Sequence, residues 1–226
     1  MGDMAEYCLD EFVFSTNAPL EEKKMSEAPR YEAITTPAGL AIFPWITKAD
    51  TKHVPTGVFK VDVSIPEELA TDTINKLERI RDEFIATLSE AKQGALTPRP
   101  VYLTEYTRPE YPEDATDEEK EDIRLTFEGQ PTGNILLRWK MKARVMPREG
   151  EMFDQAPVVV DAATGEAITA PVYDGSIIRV KGQVVPYTNA KDAVVGVTLR
   201  MKSVQVIELV SGSGEGSSFW TDFEAE

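Results

Sequence analysis

Two kinds of hydrophobic spacing divide this chain. From Val58 to Ile65 apolar and polar residues alternate, with Val61, Val63 and Ile65 on one face and Lys60, Asp62 and Ser64 on the other. That period of two predicts a half-buried strand. The same alternation returns in Ile135–Val145, in Ser176–Tyr187 and in Ala193–Leu209. The last two segments are long, amphipathic and joined by Asn189-Ala-Lys-Asp192, which predicts a hairpin. Thr36–Trp45 reads as an interrupted strand, Ala156–Asp161 as a short one, and Pro55-Thr-Gly57 and Ala163-Thr-Gly165 as turns. In between, Leu69, Ile74, Leu77, Ile80, Phe84, Ile85 and Leu88 follow helical spacing after Pro66 and Glu67-Glu68. A first-turn proline and early acids favour a helix start, so one helix is predicted over about 67–92.

Several antiparallel strands with one helix between early strands do not make a βαβ pattern. They predict a mainly β chain: an OB-fold-like antiparallel barrel with one inserted helix and a flexible tail. The predicted divisions are a loosely ordered arm at 1–32, the barrel domain at 33–210 and a Gly/Ser-led acidic-aromatic tail at 211–226. Residues 95–132, rich in proline and tyrosine, read as an insertion. Within it Thr116 and Glu119 have the spacing of a capping box, which predicts a short solvated helix in an acidic block.

Composition narrows the function. The 226 residues carry 39 acidic and 24 basic side chains, a formal net charge of −15, so bulk attraction to polyanions is not expected and any anion site needs local segregation of charge. One cysteine, Cys8, and one histidine, His53, exclude disulfides within the chain and multi-Cys or His-rich metal centres. Walker A, dinucleotide and HExxH patterns are absent, and Asp114, Asp117 and Asp122 lack EF-hand spacing. No enzyme activity, cofactor or metal is expected. Neither a membrane helix nor a signal peptide is legible, which suggests a soluble cytoplasmic protein without a membrane partner.

The segregation appears in the 135–145 strand. Arg138, Lys140, Lys142 and Arg144 alternate with Leu137, Trp139, Met141 and Ala143, so period-two geometry sets four cations on one face, about 7 Å apart, with Trp139 in the core. A polyanion lying across the strand would relieve their mutual repulsion. Arg179 and Lys181, Lys60, and Lys52 are further candidates, and Arg200 and Lys202 alternate in the same way. Tyr187, read at the hairpin tip, and Trp45 and Phe43 offer stacking platforms for single-stranded bases.

Gly57–Pro66 before a helix, Gly175–Tyr187 and Ala193–Leu209 together resemble the single-stranded DNA-binding proteins of T-odd phages and their tailed-phage relatives. The resemblance implies an OB-fold with a packed helix and an acidic tail, and DNA contacts from a basic barrel strand and an aromatic after a Val-Pro element. The matching positions are Arg138, Lys140 and Tyr187. A family basic position preceding the Gly-Val-aromatic-Lys motif is Thr56 here, with Lys52 and His53 nearby, and a second family aromatic is replaced by Thr188-Asn189-Ala190. The implied role is coating of single-stranded DNA in replication and recombination. Duplex DNA is a further partner left open, as is a homodimer. The tail, through Phe219, Trp220, Asp222, Phe223, Glu224 and Glu226, would recruit polymerase or helicase and shield the groove. The competing reading is a β-rich virion structural or assembly protein whose basic face binds an acidic protein.

Overall fold

The computed structural model describes residues 31–112, 114–147 and 150–210. Most of the expected arm, the expected tail and Arg148, which in sequence extends the run of cations from Arg138 to Arg144, lie outside the described residues.

The elements in chain order are β1 (Ala33–Thr35), β2 (Gly39–Asp50), β3 (Val58–Pro66), α1 (Glu67–Ala86), α2 (Glu90–Ala95), β4 (Thr97–Pro98), β5 (Leu103–Tyr106), α3 (Asp117–Thr126), β6 (Pro131–Lys142), β7 (Arg144–Val145), β8 (Phe153–Asp154), β9 (Val158–Asp161), β10 (Ile177–Asn189) and β11 (Val194–Glu208). Pairing runs β2–β3, β3–β6, β6–β11, β11–β10 and β10–β2, which closes a ring of five strands. This is the small barrel that the alternation predicts. It is not wholly antiparallel. The closing β6–β11 contact, Leu199 opposite Trp139 and Arg200 opposite Lys140, is parallel, as are the contacts of β4 and β9 with β11. Period-two patterning fixes which face a strand buries but is silent on strand direction.

Inward residues fill the barrel: Val61, Val63 and Ile65 from β3, Ile135, Leu137 and Trp139 from β6, Ile178, Val180 and Val184 from β10, and Leu199, Met201, Val204 and Val206 from β11. Trp139 is fully buried, as its place opposite the cations predicts. Its ring fits because β10 offers Gly182 there. A Cβ at that position would stand 2.5 Å from the Trp139 ring and would strike the Arg200 carbonyl. The β10–β11 hairpin also forms as expected, with an irregularity between Lys181 and Gly182 that bends the pair around the tryptophan.

The helix is shorter than the spacing predicts. α1 stops at Ala86, where the Thr87 and Leu88 amides bond back three residues to Phe84 and Ile85 and the Thr87 hydroxyl takes the same Phe84 carbonyl at 2.6 Å. Ser89 is extended and a separate short helix follows. The buried stripe is Ala70, Thr73, Leu77 and Ile80, which packs on the barrel, whereas Leu69 is 59% exposed. Helical spacing alone does not distinguish neighbouring positions at the edge of an apolar stripe.

Glu32, within the expected arm, is tied to helix and sheet: Arg79 grips its carboxylate at 2.9 Å, and the Val184 amide donates to its carbonyl. The expected insertion contributes to the sheet, since β5 pairs with β6. Glu105 locks that pairing. One of its carboxylate oxygens accepts from Ser64 at 2.9 Å, Asn134 at 2.9 Å and Thr132 at 3.0 Å. The capping box forms as predicted on α3, with Thr116 and Glu119 reciprocally bonded.

Candidate nucleic-acid interface

β6 faces outward through Arg138 and Lys140, and these two side chains form the ridge between two open grooves. The first groove, about 620 Å³, is lined by Arg99 to Leu103, by Leu136, Arg138 and Lys140, and by Tyr187 with Val197 to Leu199. The second, about 450 Å³, is lined by Ile42, Phe43 and Trp45, by Asp50, Lys52 and His53, and by Lys60 to Asp62 with the same Arg138 and Lys140. Arg138 and Lys140 of β6 therefore share one groove with Tyr187 of β10, which is distant from them in sequence.

Register explains the cationic row. Trp45 lies opposite Lys60, Lys60 opposite Lys140, and Lys140 opposite Arg200, so four outward side chains cross four strands in a line. Adjacent strands are about 4.8 Å apart, which places the Lys60 and Lys140 stems close enough to repel. The chain answers with Asp50, whose carboxylate accepts from Lys60 Nζ at 2.6 Å. That hydrogen bond, with a second from the Lys52 amide, holds the Asp50 carboxyl below the usual aspartate range. Two residues along, Arg138 meets Asp62 at 2.8 to 3.2 Å through Nε and Nη2. Bonding to that carboxylate raises the already high guanidinium pKa. Among the described residues no carboxylate lines the first groove, which holds Arg99, Arg138 and Lys140. Segregation of charge on an acidic chain is thus local, as composition requires.

Tyr187 is not at the hairpin tip. It sits within β10 opposite Gly196, and the tip is Ala190 to Ala193. A Cβ on Gly196 would stand 3.2 to 3.3 Å from the phenol, so the absent side chain lets the tyrosine lie down on the neighbouring strand at the groove wall.

Other expected residues fall outside the grooves. Arg144 leaves the row because β6 ends at Lys142. Ala143 breaks the strand, and Arg144 pairs with Asp154 of β8, Nε to Oδ1 at 2.7 Å. Lys142 is exposed on β6 beyond both grooves. Arg179 and Lys181 are exposed on β10 at the Gln205 and Ser203 level. They are six and eight residues from Tyr187, about 20 to 26 Å along the strand. Lys52 and Lys60 do line the second groove.

Arg99 is not legible as a groove residue, because it lies in the proline-flanked stretch read as an insertion, where no periodicity marks a face. Tyr102, one of the insertion tyrosines the sequence offers as aromatic platforms with Tyr106 and Tyr111, does line the first groove. Phe43 and Trp45 were legible as aromatics but not as a pair on one wall. Ala41 and Ile46 are both buried although five residues apart, and an irregularity between Ile42 and Trp45 absorbs the odd spacing. Phe43 takes φ 49, an unfavourable region for a bulky residue. Its amide donates to Asp174 Oδ1 at 2.6 Å, and the Arg108 guanidinium lies 4.9 Å above its ring. Partial burial pushes the Asp174 carboxyl up, against that hydrogen bond.

Among the described residues no group of three or more His, Cys, Asp or Glu gathers as a metal site, and no helix is long and apolar enough to cross a membrane.

No protein-family model matches the chain, and no curated protein matches it. Among solved structures, gp2.5, a single-stranded DNA-binding protein encoded by bacteriophage T7, aligns over 87% of this chain and 97% of its own, with a TM-score of 0.58 and 23% identity. This chain has the fold of that phage protein. The fold implied by the resemblance read from residues 57–66 and 175–209 is thus the fold the chain has. The single-stranded DNA-binding protein of bacteriophage Enc34 in complex with ssDNA is a looser likeness, at 14% identity and a TM-score of 0.45 over 80% of this chain and 89% of that one.

Proposed function

We propose that this chain is a phage single-stranded DNA-binding protein, and that DNA crosses the Arg138/Lys140 ridge and stacks a base on Tyr187. The observation that carries this reading is the sharing of one open groove by two cations and an aromatic from separate strands. Phosphate contact supplies affinity without sequence preference, and every base presents a face for stacking. The fold shared with the T7 protein supports it. No step of covalent chemistry is assigned to the groove.

Within that reading the protein coats exposed strands during replication and recombination, and the segment 211–226 recruits replication proteins and competes for the groove through its acids and aromatics. Titrating oligo(dT) and duplex DNA against the full chain at several salt concentrations tests the core of the proposal. Oligo(dT) should bind more tightly than duplex, and log affinity should fall linearly with log salt. Equal affinity for the two, or indifference to salt, would sink it. Arg138→Glu combined with Lys140→Glu should abolish binding in a still-folded protein. Retained binding would favour the reading as a virion protein whose basic face meets an acidic partner.

A further inference from the structure

We infer that the second groove is a second base-stacking subsite for the same DNA strand, with Trp45 as its platform. This rests on the proposed reading of the first groove and extends it across the ridge. Three independent observations point to Trp45.

First, the sheet places it in line with the cations. Trp45, Lys60 and Lys140 are successive cross-strand partners, so the ring stands two strands, about 10 Å, from the Lys140 stem. A strand whose phosphate rests on Lys140 has a neighbouring nucleotide within reach of that ring. Lys52 and His53 stand on the far side of the same groove.

Second, the aromatic surface is held outward against its own interest. Trp45 is 40% exposed and Phe43 54% exposed, on a strand whose neighbours Ala41 and Ile46 are buried. An irregularity between Ile42 and Trp45 turns both rings out, with Phe43 in a left-handed backbone conformation. Structure elsewhere sustains the strained position: Asp174 takes the Phe43 amide and Arg108 covers its ring. Maintained strain around exposed rings marks a binding surface rather than a packing one.

Third, the charge balance suits a strand that enters from the ridge. Asp50 and Asp62 neutralise Lys60 and Arg138 within this groove, so among the described residues Lys140 and Lys52 carry the charge that no carboxylate pairs. Affinity here must come from the ring more than from phosphate contacts. The first groove, which no carboxylate lines, has the opposite balance.

The test uses the full chain, with Trp220→Phe as background so that Trp45 and the buried Trp139 are the remaining tryptophans. Saturation with oligo(dT) of about 12 nucleotides, long enough for both grooves, should quench emission. The quench should vanish in Trp45→Phe, where binding persists because phenylalanine still stacks. Trp45→Ala should weaken the 12-mer roughly 5- to 100-fold, the range of one stacked base, and leave a 4-mer nearly unaffected. A 12-mer affinity unchanged in Trp45→Ala, or an equal quench in Trp45→Phe, overturns the subsite. If Tyr187→Ala, which touches the first groove alone, still weakens binding in that case, the first groove stands and only the Trp45 subsite falls. If Tyr187→Ala also has no effect, both fall. Unchanged urea midpoints show that each variant is folded.

Discussion

Arg138 and Asp62 face one another across β3 and β6, joined by Nε–Oδ1 and Nη2–Oδ2 contacts of 3.0 and 2.8 Å. An arginine in a cationic groove is thus partly neutralised before any ligand arrives. Asp62 is only 16% exposed at its side chain, whereas Arg138 is about half exposed and can turn to a phosphate. The pair keeps the ridge from repelling itself and lowers affinity for DNA in the same stroke.

Asp62→Asn should therefore tighten oligo(dT) binding and steepen its dependence on salt, because a carboxylate leaves the path of the strand. The ion pair is exposed on one side, so unfolding free energy should fall by no more than about 1 kcal/mol. Anisotropy titrations at low and moderate salt, with urea melts alongside, check both halves.

Charge reversal along β6 should be graded by position. Lys140→Glu should reduce affinity by at least about tenfold, a change of about 1.4 kcal/mol. Arg144→Glu should change it far less, since Arg144 is tied to Asp154 away from either groove. An equal loss in the two variants would mean that DNA follows the strand direction rather than crossing it.

Gly196→Val should displace the Tyr187 ring that rests 3.2 to 3.3 Å from the missing Cβ. Binding should weaken by about 1–3 kcal/mol, as for the loss of one stacked base, and Tyr187→Ala should do the same. The double variant should be no worse than either single one if both act through the ring.

Gly182→Ala tests the fold rather than the site. The added methyl meets the Trp139 ring at 2.5 Å and the Arg200 carbonyl. Overpacking of this kind costs about 1–3 kcal/mol or more, which a lowered urea midpoint would report.

Stability should respond to pH in two opposed ways. Asp154, bonded to Arg144, has its pKa lowered in the folded chain, so its contribution is present above about pH 4 and is lost as pH falls below that. Asp174, raised by burial, binds its proton more tightly when folded. Its contribution is full below about pH 4 and is withdrawn as pH rises through the raised value. Urea melts from pH 3 to 7 should show Asp154→Asn flattening the acid limb and Asp174→Asn flattening the limb above it.

Which faces are buried is legible in the order of residues alone. Val61, Val63, Trp139, Val180 and Met201 lie inside because alternation in a strand leaves no other choice, and the cations between them must then face out. That order also sets the capping box at Thr116 and the charge segregation that an acidic chain needs to meet a polyanion. Which outward residues meet is settled by how the strands pair. Whether Arg138 faces Asp62, whether Lys140 stands between Lys60 and Arg200, and whether Tyr187 reaches the same groove all depend on register and barrel closure. These are contacts between segments 40 to 80 residues apart, and a local pattern carries no information about its partner. Arg144, Arg179 and Lys181 look equal to Lys140 along the chain for that reason. They differ only once a strand break at Ala143 and the length of β10 carry them away.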